Sequence, residues 1–111
     1  MTSNAVEETA VITRMWRGWA RSTEADRYEE HYRSEVLSTL RQVPGFQGAR
    51  LLRRTVGGET EFVSLTFFDV LDAVRGFAGS DYETAVVAEE ARKVLVRFDA
   101  HVCHYETAFE V

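Results

Sequence analysis

The stretch Val43-Pro44-Gly45-Phe46-Gln47-Gly48 separates two hydrophobic patterns of different period. Upstream, Ala25, Tyr28, Tyr32, Val36, Leu40 and Val43 recur every three to four residues, the stripe of a helix with one buried face. Pro44 has no amide hydrogen to continue that helix and Gly45 suits the turn that follows, so the helix ends near Gln42. Its start is expected at Ser22 or Thr23, either of which can cap it, with Glu24 and Asp26 in the first turn where carboxylates favour the helix dipole. Downstream the period falls to two. Phe46 to Arg54 and Thr60 to Phe68 read as strands, joined by a hairpin at Val56-Gly57-Gly58-Glu59. In the second of these, Val63, Leu65 and Phe67 take one face, and Phe62, Ser64, Thr66 and Phe68 take the other.

Further out, Thr9 to Trp19 carries bulk at both odd and even positions and reads as a strand packed on both faces. Asp69 is expected to cap a short helix from Val70 to Ala78, with Ala73, Val74 and Phe77 inward, ended by Gly79. A further helical stretch is expected from Ser80, through Tyr82, Val86 and Val87, to about Val96. Phe98 to Phe109 then forms the last strand. The order β-α-β-β-α-β is the ferredoxin-like α+β plan, an antiparallel four-stranded sheet with helices on one face. The opposite face also reads as apolar, with Leu51, Leu65 and Phe67, and an uncovered apolar face is an association surface. A homodimer packed through its sheet faces is therefore expected. Residues 9–111 form one domain, and Met1 to Glu8 a loose tail.

Composition narrows the functions open to the chain. Its 111 residues suffice for one domain. A net charge of −5 argues against nucleic-acid binding, which needs a surplus of Lys and Arg. Twelve of the 13 basic residues are arginines, and Arg50, Arg53 and Arg54 lie close together, which leaves room for a local anion site. One cysteine, Cys103, excludes a disulfide framework and a Cys-rich zinc site, and fits a cytoplasmic location. Cys103 reads as an inert buried thiol. No apolar run is long enough to span a membrane. No P-loop, dinucleotide fingerprint or Ser-His-Asp spacing is present.

Four segments carry a family resemblance: ITRMWRG on the first strand, VPGFQGARLLRR across the turn, FVSLTFFDVLDAVRGFAGSD through the third strand and second helix, and the closing HVCHYE. Over about residues 10–107 the chain resembles the antibiotic biosynthesis monooxygenase-like domains of the dimeric α+β barrel superfamily. That fold hosts cofactor-free oxygenases, heme-degrading enzymes and other activities, so the pocket residues have to discriminate. In the heme-degrading branch the resemblance implies a tryptophan ending the third strand, an axial histidine about two turns beyond the Ser-Asp segment, and an asparagine on the first strand. Those positions here hold Phe68, Val87 and Thr13-Arg14-Met15-Trp16. Heme is therefore not expected, although Trp16 supplies bulk near the place that Phe68 leaves smaller. The cofactor-free oxygenases imply only a shaped apolar pocket with a few polar groups. They act on an electron-rich phenol or enol whose anion reacts with dioxygen directly. No cofactor and no metal is expected, and the ligand is a small hydrophobic aromatic or polyketide-like molecule; the alternatives are a non-catalytic, ligand-binding or stress-associated dimeric barrel and, further off, a heme protein with His31 or His104 as its ligand.

The candidate catalytic residues are Arg14, His31, Tyr32, His104 and Tyr105. The candidate substrate-binding residues are Trp16, Tyr28, Phe62, Ser64, Thr66 and Phe68. Arg14 and Trp16 share a strand face, one to hold an enolate or carboxylate and the other to form an apolar wall; the alternative is a structural arginine satisfied by a carboxylate. His31 precedes Glu35 by four residues, which would let the carboxylate orient it as a base, or leave it as a boundary residue of the buried stripe. His101 and His104 are three apart on a strand and so point to opposite faces, which rules against one shared metal ion. His104 shares its face with Val102 and Glu106, and His101 with Cys103 and Tyr105. Strand register decides which set meets the pocket. Tyr105 is equally suited to a dimer interface. A cavity of about 300 Å³ or more is expected between the helices and the sheet, the usual lower range for ligand sites.

Overall fold

A computed structural model describes residues 11–111. The expected tail over residues 1–8, and the expected strand start at Thr9, lie outside the described residues. Strand β1 runs Ile12–Arg21, β2 Phe46–Val56, β3 Glu59–Phe68, β4 Leu95–Phe98 and β5 Cys103–Glu106. The sheet order is β2-β3-β1-β4, with β5 also paired to β1, and every pairing is antiparallel. This is the ferredoxin-like arrangement, with the final lane built from two short strands.

The first helix, α1, covers residues 22–40 in four conformations: a 3₁₀ turn at Ser22–Glu24, α-helix at Ala25–His31, a π segment at Tyr32–Val36 and α-helix at Leu37–Leu40. Helix α2 is Leu71–Ala78 and α3 is Glu89–Val94. The predicted stripe of α1 is the buried one: Ala25, Tyr28, Tyr32 and Leu40 are all at or below 5% exposure. The alternation of β3 is equally clean, with Thr60, Phe62, Ser64, Thr66 and Phe68 buried beneath the helices. Two clusters fill the interior. One gathers Ala20, Ala25, Tyr28, Phe62, Val94 and Leu95; the other gathers Ile12, Leu40, Phe68, Ala73 and Val74. Between them lies the more polar middle of the sheet.

Several expectations need correction. Neither Ser22 nor Thr23 caps α1. The 3₁₀ turn already begins at Ser22, whose amide donates to Gly58 O at 2.9 Å, and the buried Ser22 Oγ has no partner among the described residues. Asp69 does not cap α2 either. Its amide donates to Gly45 O at 2.9 Å, which ties it to the turn, and Oδ1 is buried beside Gly45 without a hydrogen bond. The helix expected from Ser80 to Val96 is reduced to α3. Residues 80–88 form an irregular strap because their backbone groups bond elsewhere: Ala85 N–H to Ala100 O at 2.9 Å, and Val102 N–H to Glu83 O at 2.8 Å. The same bonds break the last strand at Asp99–Val102, so that one strand from Phe98 to Phe109 becomes β4 and β5.

Pairing also assigns the faces. Leu51 stands opposite Ser64 and packs beneath α1, so it belongs to the covered face and not the outer one. Leu65 and Phe67 are on the outer face as expected, opposite Arg50 and Gly48 on β2 and Met15 and Thr13 on β1. Cys103 lies opposite Met15 and is exposed, so it is not a buried thiol. No helix among the described residues is long and apolar enough to cross a membrane.

Candidate functional site

Register builds the site. Arg14 on β1 stands between Thr66 on β3 and His104 on β5, and Trp16 stands opposite Ser64. These five side chains share the face covered by α1. Tyr105 is opposite Thr13 on the outer face and 52% exposed, so it does not reach this pocket. His101 makes an isolated bridge with Thr84 and is exposed, which settles that His104 is the histidine facing inward.

A small chamber of about 70 Å³ lies between α1 and the sheet, lined by Arg14, Trp16, Tyr28, Tyr32, Ser64 and Thr66 on its inner side. His31, Val36, Phe77, Val86, Val87 and Ala88 line both this chamber and a wider, more open cleft of about 440 Å³. Among the described residues, the space expected as a single cavity of about 300 Å³ or more is divided. In its place is a tight chamber under a broad cleft, with the strap forming much of the throat. Phe62 and Phe68 do not line it. Both are fully buried: Phe62 packs on Tyr28 at 4.8 Å between ring centroids, and Phe68 on Phe46 and Phe77 at 6.0 and 6.3 Å.

Arg14 is the central group. It is 5% exposed, and none of the ion pairs among the described residues includes it. The expectation of a structural arginine held by a carboxylate does not describe it. Its Nη1 donates to the Tyr82 carbonyl at 2.5 Å and to His104 Nε2 at 3.0 Å, and Nη2 donates to the Thr84 carbonyl at 3.4 Å. Its guanidinium carbon also lies 5.6 Å from the centre of the Phe77 ring. Burial pushes its pKa down to about 10, which still leaves it charged at neutral pH. A guanidinium only donates, so His104 Nε2 must be the unprotonated nitrogen of that ring. Burial, and then the Arg14 charge, lower the pKa of His104, with Glu83 acting weakly in the opposite direction. His104 thus serves as a neutral acceptor that fixes Arg14, with the Tyr82 ring edge-on to it at 5.2 Å.

Tyr32 Oη and Ser64 Oγ share a hydrogen bond of 2.9 Å across the chamber. Burial raises the Tyr32 pKa, only partly offset by Ser64, so the phenol stays protonated and able to donate. The pKa of Tyr28 is raised further by burial. His31 Nε2 is buried and has no hydrogen-bond partner among the described residues. The expected support from Glu35 is not made. Residues 32–36 wind as a π segment, and Glu35 is exposed on the same cleft as His31 without bonding to it. Trp16 is held by its Nε1 donating to the Asp99 carbonyl at 2.8 Å, and its ring lies over Gly18, where a methyl group would come within 2.8 Å of it. The strap's carbonyls on Arg14 and the Asp99 carbonyl on Trp16 were not readable in the sequence, because main-chain acceptors carry no residue signature. Among the described residues, no three His, Cys, Asp or Glu side chains converge as a metal site would need.

Fold and site together define a ferredoxin-like α+β domain with a polar-floored chamber between its first helix and its sheet. The antibiotic biosynthesis monooxygenase family model matches residues 11–89, and the chain belongs to that family. Several solved structures share the fold. A putative antibiotic biosynthesis monooxygenase from Bacillus cereus is 13% identical, with 92% of this chain and 95% of that chain covered and a TM-score of 0.68. SnoaB from Streptomyces nogalater, a cofactor-independent oxygenase solved in a mutant form, is 16% identical, with coverages of 92% and 97% and a TM-score of 0.66. The heme-degrader MhuD from Mycobacterium tuberculosis, with two hemes in its active site, is 18% identical, with coverages of 91% and 98% and a TM-score of 0.62. A search of curated protein sequences gave no match.

Proposed function

We propose that the chain is a cofactor-independent monooxygenase acting on an electron-rich, hydrophobic aromatic phenol or enol. One observation carries this reading: a buried guanidinium, free of any carboxylate among the described residues, stands at the floor of an apolar chamber. Such a charge favours the anion of a weak acid, and in a dry site it does so more strongly than in water. His31 Nε2, buried without a partner, is placed to take the proton. The ring carbon of the resulting anion gives an electron to dioxygen, and the radical pair combines. The hydroperoxide that forms once a proton returns then loses water to leave a carbonyl, so that one CH₂ and one O₂ become one C=O and one H₂O. Trp16, Tyr28 and Val36 exclude bulk water, and Tyr32 donates to a substrate oxygen when its bond to Ser64 is exchanged. The family and the likeness to an oxygenase such as SnoaB support the same reading.

Heme fits this site poorly. His104 Nε2, which could otherwise ligate iron, is already engaged by Arg14, and His31 Nε2 is the one imidazole nitrogen of the site left to do so. We also propose that two copies pack through the outer sheet face, where Met15, Leu65 and Phe67 are only half-buried in the single chain. The deciding assay is oxygen uptake with 1,8-dihydroxyanthrone, in the presence of a chelator. Turnover well above the buffer rate, lost in Arg14→Gln, is the expected result. Saturable binding of the anthrone with uptake at the buffer rate would make the protein a binding module instead. Titration with hemin should give no Soret shift.

A further inference from the structure

The three bonds from Arg14 leave a specific part of it unused. Nη1 has both of its hydrogens on Tyr82 O and His104 Nε2, and one hydrogen of Nη2 is directed to Thr84 O. Among the described residues, the Nε hydrogen and the second Nη2 hydrogen have no acceptor. Nε and Nη2 lie side by side along one edge of the guanidinium plane, at the spacing that matches the two oxygens of one carboxylate, and the contact to Thr84 O, at 3.4 Å, is long enough to give way to one. A lone phenolate oxygen would use only one of them well.

The surrounding space is divided in a matching way. Arg14 lines the inner chamber only. At about 70 Å³ that chamber holds a group of a few heavy atoms, given that one water needs roughly 10–15 Å³ of such volume. The outer cleft of about 440 Å³ is walled by Phe77, Val86 and Val87 and carries Glu35 and Glu90. Glu90 is paired with Lys93 at 3.1 Å, but Glu35 has no basic partner among the described residues and repels an anion from the cleft, while Arg14 attracts one into the chamber. An occupant of this shape is anionic at its small inner end and neutral and apolar at its larger outer end.

We propose that the site takes amphiphilic carboxylates head first, the carboxylate on the Nε–Nη2 edge of Arg14 and the apolar body in the cleft against Phe77, Val86 and Val87. The proposal rests on the reading that this chamber is the working site, and it narrows the substrates to apolar acids. His31 Nε2, at the throat between the two compartments, meets the atoms next to the carboxylate.

The test is calorimetric titration of the full chain at neutral pH with 1-naphthylacetate, 1-naphthylacetamide and 1-naphthol. The acid should bind at least about tenfold more tightly than either neutral probe, the scale of one charge-assisted hydrogen bond. Arg14→Lys keeps the charge but not the paired edge. It should lose about tenfold for the acid and little for the amide. Thr39→Trp, at an exposed residue that lines the cleft and not the chamber, should weaken acid and amide alike and serves if the lysine variant does not fold. Equal binding of acid and amide overturns the proposal, as does an unchanged affinity for the acid in Arg14→Lys. Naphthol binding as tightly as the acid also overturns it while leaving the oxygenase reading standing. Preference for the acid without catalysed uptake of oxygen by the anthrone or by an anthrone bearing a carboxylate does the reverse.

Discussion

Replacing Gly45 by alanine should unfold this protein far more readily than the same change at Gly57, although both glycines have positive φ. Gly45 is at φ 91 and Gly57 at φ 63. A left-handed conformation costs an alanine about 1–2 kcal/mol, and this charge falls on both variants. The surroundings differ. A methyl group on Gly57 meets open space, whereas on Gly45 it collides with Asp69 Oδ1 and comes within 2.7 Å of Ala73 Cβ. Neither neighbour is the loose end of a long side chain: Asp69 is pinned through its amide to Gly45 O, and Ala73 is part of α2. Overpacking of this kind adds about 1–3 kcal/mol. The expected losses are about 3 kcal/mol for Gly45→Ala and about 1 kcal/mol for Gly57→Ala. At roughly 5 °C per kcal/mol for a domain of this size, the melting temperatures fall by roughly 15 °C and 5 °C. Urea titration with a common m-value would measure both free energies. If the two variants lose the same stability, the close contact beneath Gly45 is not what holds the turn.

Tyr32→Phe and Ser64→Ala should each cost about 1–2 kcal/mol, because each leaves a buried hydroxyl without its partner. The double variant should cost less than their sum, with a coupling near 1 kcal/mol by urea titration; coupling indistinguishable from zero would mean that water already satisfies both groups. His104 is held below its ordinary value of 6.5, so the folded chain binds fewer protons than the unfolded one near that pH. Its contribution is whole above pH 6.5 and is lost as the pH falls through the lower folded value, so thermal melts of His104→Gln should vary less with pH between neutral and mildly acidic conditions than those of the wild type. Parallel profiles would remove this role. Leu65→Arg, on the outer sheet face, should convert a dimer into a monomer by light scattering with the chamber intact; an unchanged mass would place the interface elsewhere.

The parts of the fold that repeat along the chain were legible. The stripe of α1 and the alternation of β3 are dictated by burial on one face, and the period of the hydrophobic pattern reports that, as the paired glycines report the hairpin at Gly57-Gly58. The stretch after Gly79 misled because Tyr82, Val86 and Val87 have helical spacing. The backbone groups of Tyr82 to Ala85 are claimed by Ala100, Val102 and Arg14, which are distant in sequence. The pocket was half legible for a related reason. Arg14, Trp16, Ser64 and Thr66 follow from period two, but the side of the sheet taken by Tyr105 depends on register with β1. Phe62 and Phe68 share the correct face, yet lie outside the chamber because the two core clusters absorb them. The π segment between His31 and Val36 leaves no mark in the hydrophobic pattern.

The place of β1 has a consequence for the order in which the protein is made. Its residues 12–15 pair with residues 103–106, and residues 18–20 pair with residues 95–98. Strand β1 therefore keeps one edge open until the ribosome has added roughly ninety further residues, and the His104 that steadies Arg14 arrives at the end of that wait. Helix α1, the β2–β3 hairpin and the β1–β3 pairing can form earlier. Closure over such separations is slow, and an exposed strand edge in the nascent chain is a place for wrong partners to attach. Even the family match over residues 11–89 stops short of the strands that seal it.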